Sequence, residues 1–111
     1  MKKQYRVKRN EDFQKIIKKR QSVANRQFVV YSMKNNDHLR VGFSVSKKLG
    51  KAVVRNKIKR QVRMMVQEVF DKNQKRDFIV IVRNDYLNHS YEDNLKSLSF
   101  LYHKINKRMD N

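Results

Sequence analysis

Residues Phe78–Val82 read FIVIV, the longest unbroken apolar run in the chain. Five residues fall far short of the ~20 needed to span a bilayer. A strand with one wet face would alternate apolar and polar residues, so a continuous run reads as a strand covered on both faces. The chain must therefore build a small sheet with packing material around it. QFVVYSM, from Gln27 to Met33, is a second strand by its β-branched and aromatic content. After the turn chemistry of KNNDH, Leu39, Val41, Phe43 and Val45 alternate with Arg40, Gly42, Ser44 and Ser46, a period of two. Those two strands read as a hairpin.

Helices fill the gaps between strands. The first spans about Glu11–Lys19, with Asn10 as its cap, Glu11 and Asp12 in the first turn, and Lys18, Lys19 and Arg20 closing it. Phe13, Ile16 and Ile17 form its apolar side. The second covers about Ala52–Phe70. A third, about Tyr91–Lys107, opens on a Ser90–Asp93 capping box and carries a core stripe of Tyr91, Leu95, Leu98, Tyr102 and Ile105. The order αββαβα predicts an α/β (α+β) two-layer sandwich, a small sheet packed by helices. With 111 residues, no Pro and Gly only at 42 and 50, the whole of 1–111 reads as a single domain. Residues 1–9 form a basic arm at its start, open to flexibility. That arm lacks the apolar segment of a secretory signal, so the chain is expected to be soluble and cytoplasmic, with no membrane partner.

Charge is the most uneven property. Lys and Arg number 28 against 10 Asp and Glu, a formal charge of +18 and a pI near 10.5, the footprint of a nucleic-acid binder. From His38 to Gln67 there are nine Lys or Arg and no acid. The second helix concentrates the imbalance. With Arg55 at zero and ~100° per residue, Val54, Ile58, Val62, Met65, Val66 and Val69 share the core-facing sector. Arg55, Lys59 and Arg63 form one row beside it, and Asn56 and Arg60 a second. Like charges at i, i+4 repel by ~0.2–0.5 kcal/mol per pair. Cations near a helix N-terminus oppose the macrodipole by ~0.3–1 kcal/mol each. Phosphates along this face would reverse both signs. Lys47, Lys48 and Lys51 extend the positive surface into the preceding loop.

The segment SVSKKLGKAVVRNKIKRQVR (Ser44–Arg63) resembles the RNR segment of the bacterial ribonuclease P protein subunit, with Arg55-Asn56 and Lys59-Arg60 as its most specific dipeptides. NEDFQKIIK (Asn10–Lys18), SVANRQFVVY (Ser22–Tyr31) and LRVGFSVSKK (Leu39–Lys48) continue the resemblance in order. It implies a partner, the catalytic RNA of ribonuclease P, which removes the 5′ leader of precursor tRNA using Mg2+ held mainly by the RNA. It also implies that Lys47, Lys48, Lys51, Arg55, Asn56, Lys59, Arg60 and Arg63 contact that RNA. Phe13, Ile17, Val29 and Tyr31 would line a cleft for the single-stranded leader. Two positions depart from the family pattern. Ile17 stands where many relatives have a second Phe, and Arg20-Gln21 follows the first helix where Gly is common. The resemblance also implies a fold similar to a ribosomal-protein domain with a left-handed βαβ crossover, against the usual right-handed rule.

Nothing in the chain points to catalysis by the polypeptide alone. His38, His89 and His103 are isolated, without ligand spacing, so no metal site is expected. The chain has no Cys. Glu11-Asp12 and Glu92-Asp93 sit at helix starts, where the dipole accounts for them. No catalytic residue is assigned and no obligate protein partner is implied. A structural RNA binder such as a ribosomal component fits the charge and element order equally. A protein-only nuclease is disfavoured by the missing carboxylate cluster.

Overall fold

A computed structural model describes residues 1–109. Helix α1 (Asn10–Lys18) is followed by strands β1 (Ser22–Ala24), β2 (Phe28–Lys34) and β3 (Arg40–Val45). Helix α2 (Ala52–Val69), strand β4 (Arg76–Val82) and helix α3 (Tyr91–Met109) complete the α+β sandwich. The four strands form one mixed sheet in the order β1-β2-β4-β3, with only β3 and β4 parallel. As its apolar run demands, β4 is interior to the sheet and almost wholly buried.

The expected β2–β3 hairpin is not formed, because β4 lies between those strands. Residues 35–39 instead pass over the start of β4 and are pinned there by Asp77, which is buried. Its Oδ1 accepts from Asn35 Nδ2 and Arg40 Nε, each at 2.8 Å, and its Oδ2 accepts from Arg40 Nη2 at 3.1 Å. Turn chemistry at KNNDH is real, since Asn35 Oδ1 accepts from Asp37 N at 2.9 Å. It serves a crossing, however, and not a tight return. The true hairpin is β1–β2, where Asn25 Oδ1 accepts from the backbone N–H groups of Gln27 and Phe28.

The sheet divides the apolar residues into two clusters. Phe28, Val30, Val41, Phe78, Val80 and Val82 point to the side covered by α2 and α3, forming the main core. Ile79 points to the other side, where Val7 and Ile16 join it and Phe13, Tyr31, Met33 and Ile81 pack around. Gly42 pairs with Ile79 on that second side.

Three local expectations need correction. Asn10 is the first residue of α1 and not its cap, which is Arg9, without a side-chain hydrogen bond. Val54 is 38% exposed instead of core-facing: it sits in the first turn of α2 beside Gly50, at the rim. Helix α3 runs two residues past its predicted end, to Met109. Its start is as read, with Ser90 Oγ accepting from Asp93 N at 3.1 Å. Arg20 takes φ 55°, a left-handed conformation that costs a non-glycine residue ~1–2 kcal/mol.

The basic arm is docked on the sheet. Val7 is buried and its N–H donates to Val41 O, extending the β3 edge. Upstream, Tyr5 meets His38 edge-on, and His38 Nε2 lies 2.6 Å from Gln4 O while Nδ1 lies 2.9 Å from Asp37 Oδ1. Both partners are acceptors, so only the doubly protonated ring donates to both. The Asp37 hydrogen bond, then the Gln4 carbonyl, raise the His38 pKa above its ordinary 6.5. A pKa raised by folding gives stability that is complete below the unfolded value and lost as pH rises through the folded one. Titrating upward from about pH 6 should therefore lower the exchange protection of the Tyr5 and Arg6 amides while leaving α2 unchanged. Hydrogen exchange read by NMR checks this, and His38→Phe should abolish the pH dependence. Unaltered protection in the wild-type chain would disprove it.

Candidate nucleic-acid interface

Helix α2 presents its cations as the wheel requires. Ile58, Val62, Met65 and Val66 are buried on the core, and Val69 is partly so. Asn56 and Arg60 are exposed, and Arg55, Lys59 and Arg63 are half-buried beside them. Lys47, Lys48 and Lys51 are exposed in the preceding loop, where Gly50 takes φ 137°, a conformation that L side chains rarely adopt. Among the described residues, no carboxylate pairs with any of these eight positions: the acids that form ion pairs are Asp37, Asp77 and Asp85. No side chain caps α2 either, and its first turn holds no acid. The face is left positive by construction.

On the opposite side of the sheet, α1 covers only part of the surface. Phe13 and Tyr31 both pack against the second cluster, with Ile79 across from Tyr31 on β4. Phe13 can approach because the facing position is glycine: a Cβ on Gly42 would sit 2.5 Å from Phe13 Cζ. Val29 lies two residues along β2 on the same face, opposite Ile81, and remains half-exposed. Ile17 is half-exposed on α1, one turn after Phe13. The four predicted cleft residues thus share one side of the sheet, with Phe13 and Tyr31 in one cluster. Sequence reasoning missed Gly42, Ile79 and Ile81, which lie on the same face of the sheet. Alternation along β3 set Gly42 apart from Val41 and Phe43, but the pairing of Ile79 and Ile81 with Tyr31 and Val29 depends on a strand order that alternation does not give.

The two regions meet at the β3 edge. A cavity of about 320 Å3 there is lined by Arg6, Lys8, Phe13, Phe43, Lys59 and Arg63, together with Val7 and Val41. Four cations and two phenyl rings, drawn from the arm, α1, β3 and α2, surround one opening. The Nε atoms of Arg6, Arg55 and Arg63 are buried and have no acceptor. The Arg63 guanidinium stands 5.9 Å from the centre of the Phe43 ring. Desolvation, then the neighbouring Arg6 charge, lower the Arg63 pKa. Arginine nevertheless stays charged in proteins, so the repulsion persists. An anion at this opening would relieve it. Arg6, Lys8 and Phe43 were absent from the sequence-derived site, because the arm's path along β3 could not be read from charge alone.

Among the described residues no three His, Asp or Glu side chains are grouped to hold a metal ion, and no helix is long and apolar enough to cross a membrane.

Comparison with known proteins identifies the family and the fold. The family profile described as Ribonuclease P matches residues 1–106. The ribonuclease P protein component of Bacillus velezensis is 50% identical over 106 residues, covering 94% of this chain and 91% of the relative. That of Macrococcus caseolyticus is 57% identical over 89 residues, 75% of this chain and 74% of the relative. Among solved structures, the Staphylococcus aureus RNase P protein superposes with a TM-score of 0.82 at 48% identity, covering 89% of this chain and 93% of that one. The Thermotoga maritima RNase P protein gives 0.73 at 33% identity, over 86% and 94% of the two chains. This chain belongs to the ribonuclease P protein component family, which gives it a role in ribonuclease P.

Proposed function

We propose that this chain seats α2 and its preceding loop on the catalytic RNA of ribonuclease P and holds the single-stranded 5′ leader of precursor tRNA in the cleft beneath α1. One observation carries the reading. A cationic face without carboxylate partners among the described residues and an apolar, aromatic cluster lie on opposite sides of one sheet, and both reach the cavity at the β3 edge. Lys47, Lys48, Lys51, Arg55, Lys59, Arg60 and Arg63 neutralise RNA phosphates, and Asn56 adds hydrogen bonds to sugar or phosphate. Phe13 and Tyr31 offer ring faces to unpaired bases, at ~1–3 kcal/mol per stacked base and without sequence preference. Ile17 and Val29 extend the wall by apolar contact. Arg6 and Lys8 track the leader backbone where it leaves the cleft towards the catalytic RNA.

Magnesium supplies the charge neutralisation and activated water for hydrolysis, and the RNA holds it. The polypeptide breaks no bond; it raises the population of the productive complex in the cytoplasm. Incubating precursor tRNA with protein alone, with cognate RNA alone at low magnesium, and with both tests this directly. Efficient leader removal is expected only in the mixture. Cleavage by RNA-free protein, or no gain in the mixture, would refute the assignment. Phe13→Ala should weaken binding of leader-bearing tRNA roughly tenfold, the equivalent of one lost stack, and leave mature tRNA unaffected. Equal losses for both would move Phe13 out of the leader site and into a purely structural role.

A further inference from the structure

A second pocket lies on the far flank of α2, outside the cleft and the two cationic rows. It has a volume of about 310 Å3, and its apolar walls come from Val53, Val54, Ile58 and Leu87, with Tyr91 and Asn94 from the start of α3. Three of the chain's exposed large hydrophobic residues converge here: Val53 at 79%, Leu87 at 52% and Val54 at 38%. Isolated exposed apolar residues need no explanation, but a group around one concavity marks a binding site. The pocket also carries an unmet polar demand. Asn94 is only 1% exposed; its Nδ2 donates to Tyr86 O at 3.0 Å, yet its buried Oδ1 has no donor among the described residues. Native proteins leave few such acceptors, and each asks for a partner. Neighbouring polar groups are already committed. Tyr86 Oη donates to Gln61 Oε1 at 2.7 Å, and burial pushes the Tyr86 pKa up to about 12, keeping it a donor. His89 Nε2 is engaged with Asp85 Oδ2 at 2.8 Å.

Position identifies the occupant. On the helix wheel that places Arg55 at zero, Val53 falls at ~160°, between Arg60 at ~140° and Lys57 at ~200°. Along the axis Val53 precedes Asn56 by three residues and Lys57 by four, so the pocket mouth borders the N-terminal end of the second row. An RNA strand whose phosphates lie along Asn56 and Arg60 brings its next groups to Val53. A protein partner would have to approach against a chain of +18; the α2 side of the mouth carries cations without an acid, and Asp85 on the other side is already engaged by Asn88 and His89.

We infer that this pocket receives one unpaired nucleobase of the partner RNA, flat against Val53, Leu87 and the Tyr91 ring, with an N–H of the base edge donating to Asn94 Oδ1. The inference rests on the proposed seating of α2 on RNA and adds to it a contact that is apolar and hydrogen-bonded, with no charge change. That distinction makes it testable. Removing a phosphate contact flattens the dependence of log K on log salt, whereas removing a base contact weakens binding at every salt concentration and leaves the slope unchanged.

The test measures affinity of the full chain for its cognate ribonuclease P RNA across a salt series. Val53→Ser/Leu87→Ser alters only exposed side chains, so folding should be unaffected. The double variant should bind about tenfold more weakly with the wild-type slope. Asn94→Leu, compared at matched thermal stability, should lose a similar factor. A photoreactive benzoylphenylalanine at position 87 should crosslink to a single unpaired nucleotide, read by primer extension. Wild-type affinity in both variants, a flattened slope, or crosslinks spread along a duplex or onto protein would overturn the inference. If the wild-type chain itself fails to bind the RNA, the seating of α2 falls first and takes this contact with it.

Discussion

Gly42→Ala should destabilise the protein by about 1–3 kcal/mol, the usual range for overpacking a filled site, and should weaken leader binding at the same time. The added methyl would lie 2.5 Å from Phe13 Cζ and 2.8 Å from Ile79 Cδ1, distances no packed carbon tolerates. Ile79 is fully buried in β4, whereas Phe13 is half-exposed on α1, so Phe13 is the side chain that yields. Its ring is lifted off the sheet and carries α1 with it. Thermal denaturation should show a Tm lower by several degrees. Leader-bearing tRNA should lose affinity relative to mature tRNA, as with Phe13→Ala. A double-mutant cycle separates the cause. In a Phe13→Ala background the methyl occupies vacated space, so the two substitutions should couple by at least ~1 kcal/mol in stability. Strict additivity would mean that Gly42 is needed for some reason other than the ring above it.

This close approach was partly legible from sequence, which makes it a useful measure of what patterning can give. Alternation through Leu39–Val45 assigned Gly42 to the face opposite Val41 and Phe43, and the structure agrees. Which strand lay beside β3 was not legible, because alternation fixes a strand's faces but not its neighbours. KNNDH contains the residues of a tight turn, and hairpins between consecutive strands are common, so local reasoning closed β2 onto β3. The deciding contact, Arg40 and Asn35 both on Asp77, joins residues 37 and 42 positions apart. Nothing short-range encodes it. The strand β1 escaped for a different reason: three residues, Ser22–Ala24, are too few to display a period. By contrast, the FIVIV run declared its central place directly, since burial on both faces leaves no polar alternate positions.

The site divides in the same way. The cationic rows of α2 followed from the helical repeat and one end of the chain's charge distribution, and both rows are where the wheel put them. Val54 failed because a wheel describes direction around the axis and ignores position along it. Its sector is correct, but the first turn of α2 packs on the loop at Gly50. The contribution of Arg6 and Lys8 was beyond pattern altogether. It depends on Val7 donating to Val41 O, a pairing between residues 34 apart that routes the arm along the β3 edge.

Lys59→Ala/Arg60→Ala should raise stability and lower RNA affinity together, an opposition that a solvated structural face would not produce. Lys59 repels Arg55 and Arg63 at i±4, so its removal relieves two like-charge pairs at ~0.2–0.5 kcal/mol each. Alanine also has the highest helix propensity, adding a few tenths more. The expected gain is about 0.5–1 kcal/mol, a Tm rise of several degrees for a domain of this size. No carboxylate partner is lost in exchange, because neither residue forms an ion pair among the described residues. Binding moves the other way. Two fewer neutralised phosphates should reduce the slope of log K against log salt by about 1.4–1.8 and cost at least tenfold at low salt. Thermal melts and a salt series on one preparation therefore read two signs from one change. A chain whose helix face had been fitted to water alone would show unchanged affinity. A chain whose cations were braced internally would lose stability instead of gaining it. A surface shaped for a polyanion would trade stability of the free protein for affinity in the complex, because the repulsion that weakens α2 in isolation is what RNA phosphates would relieve.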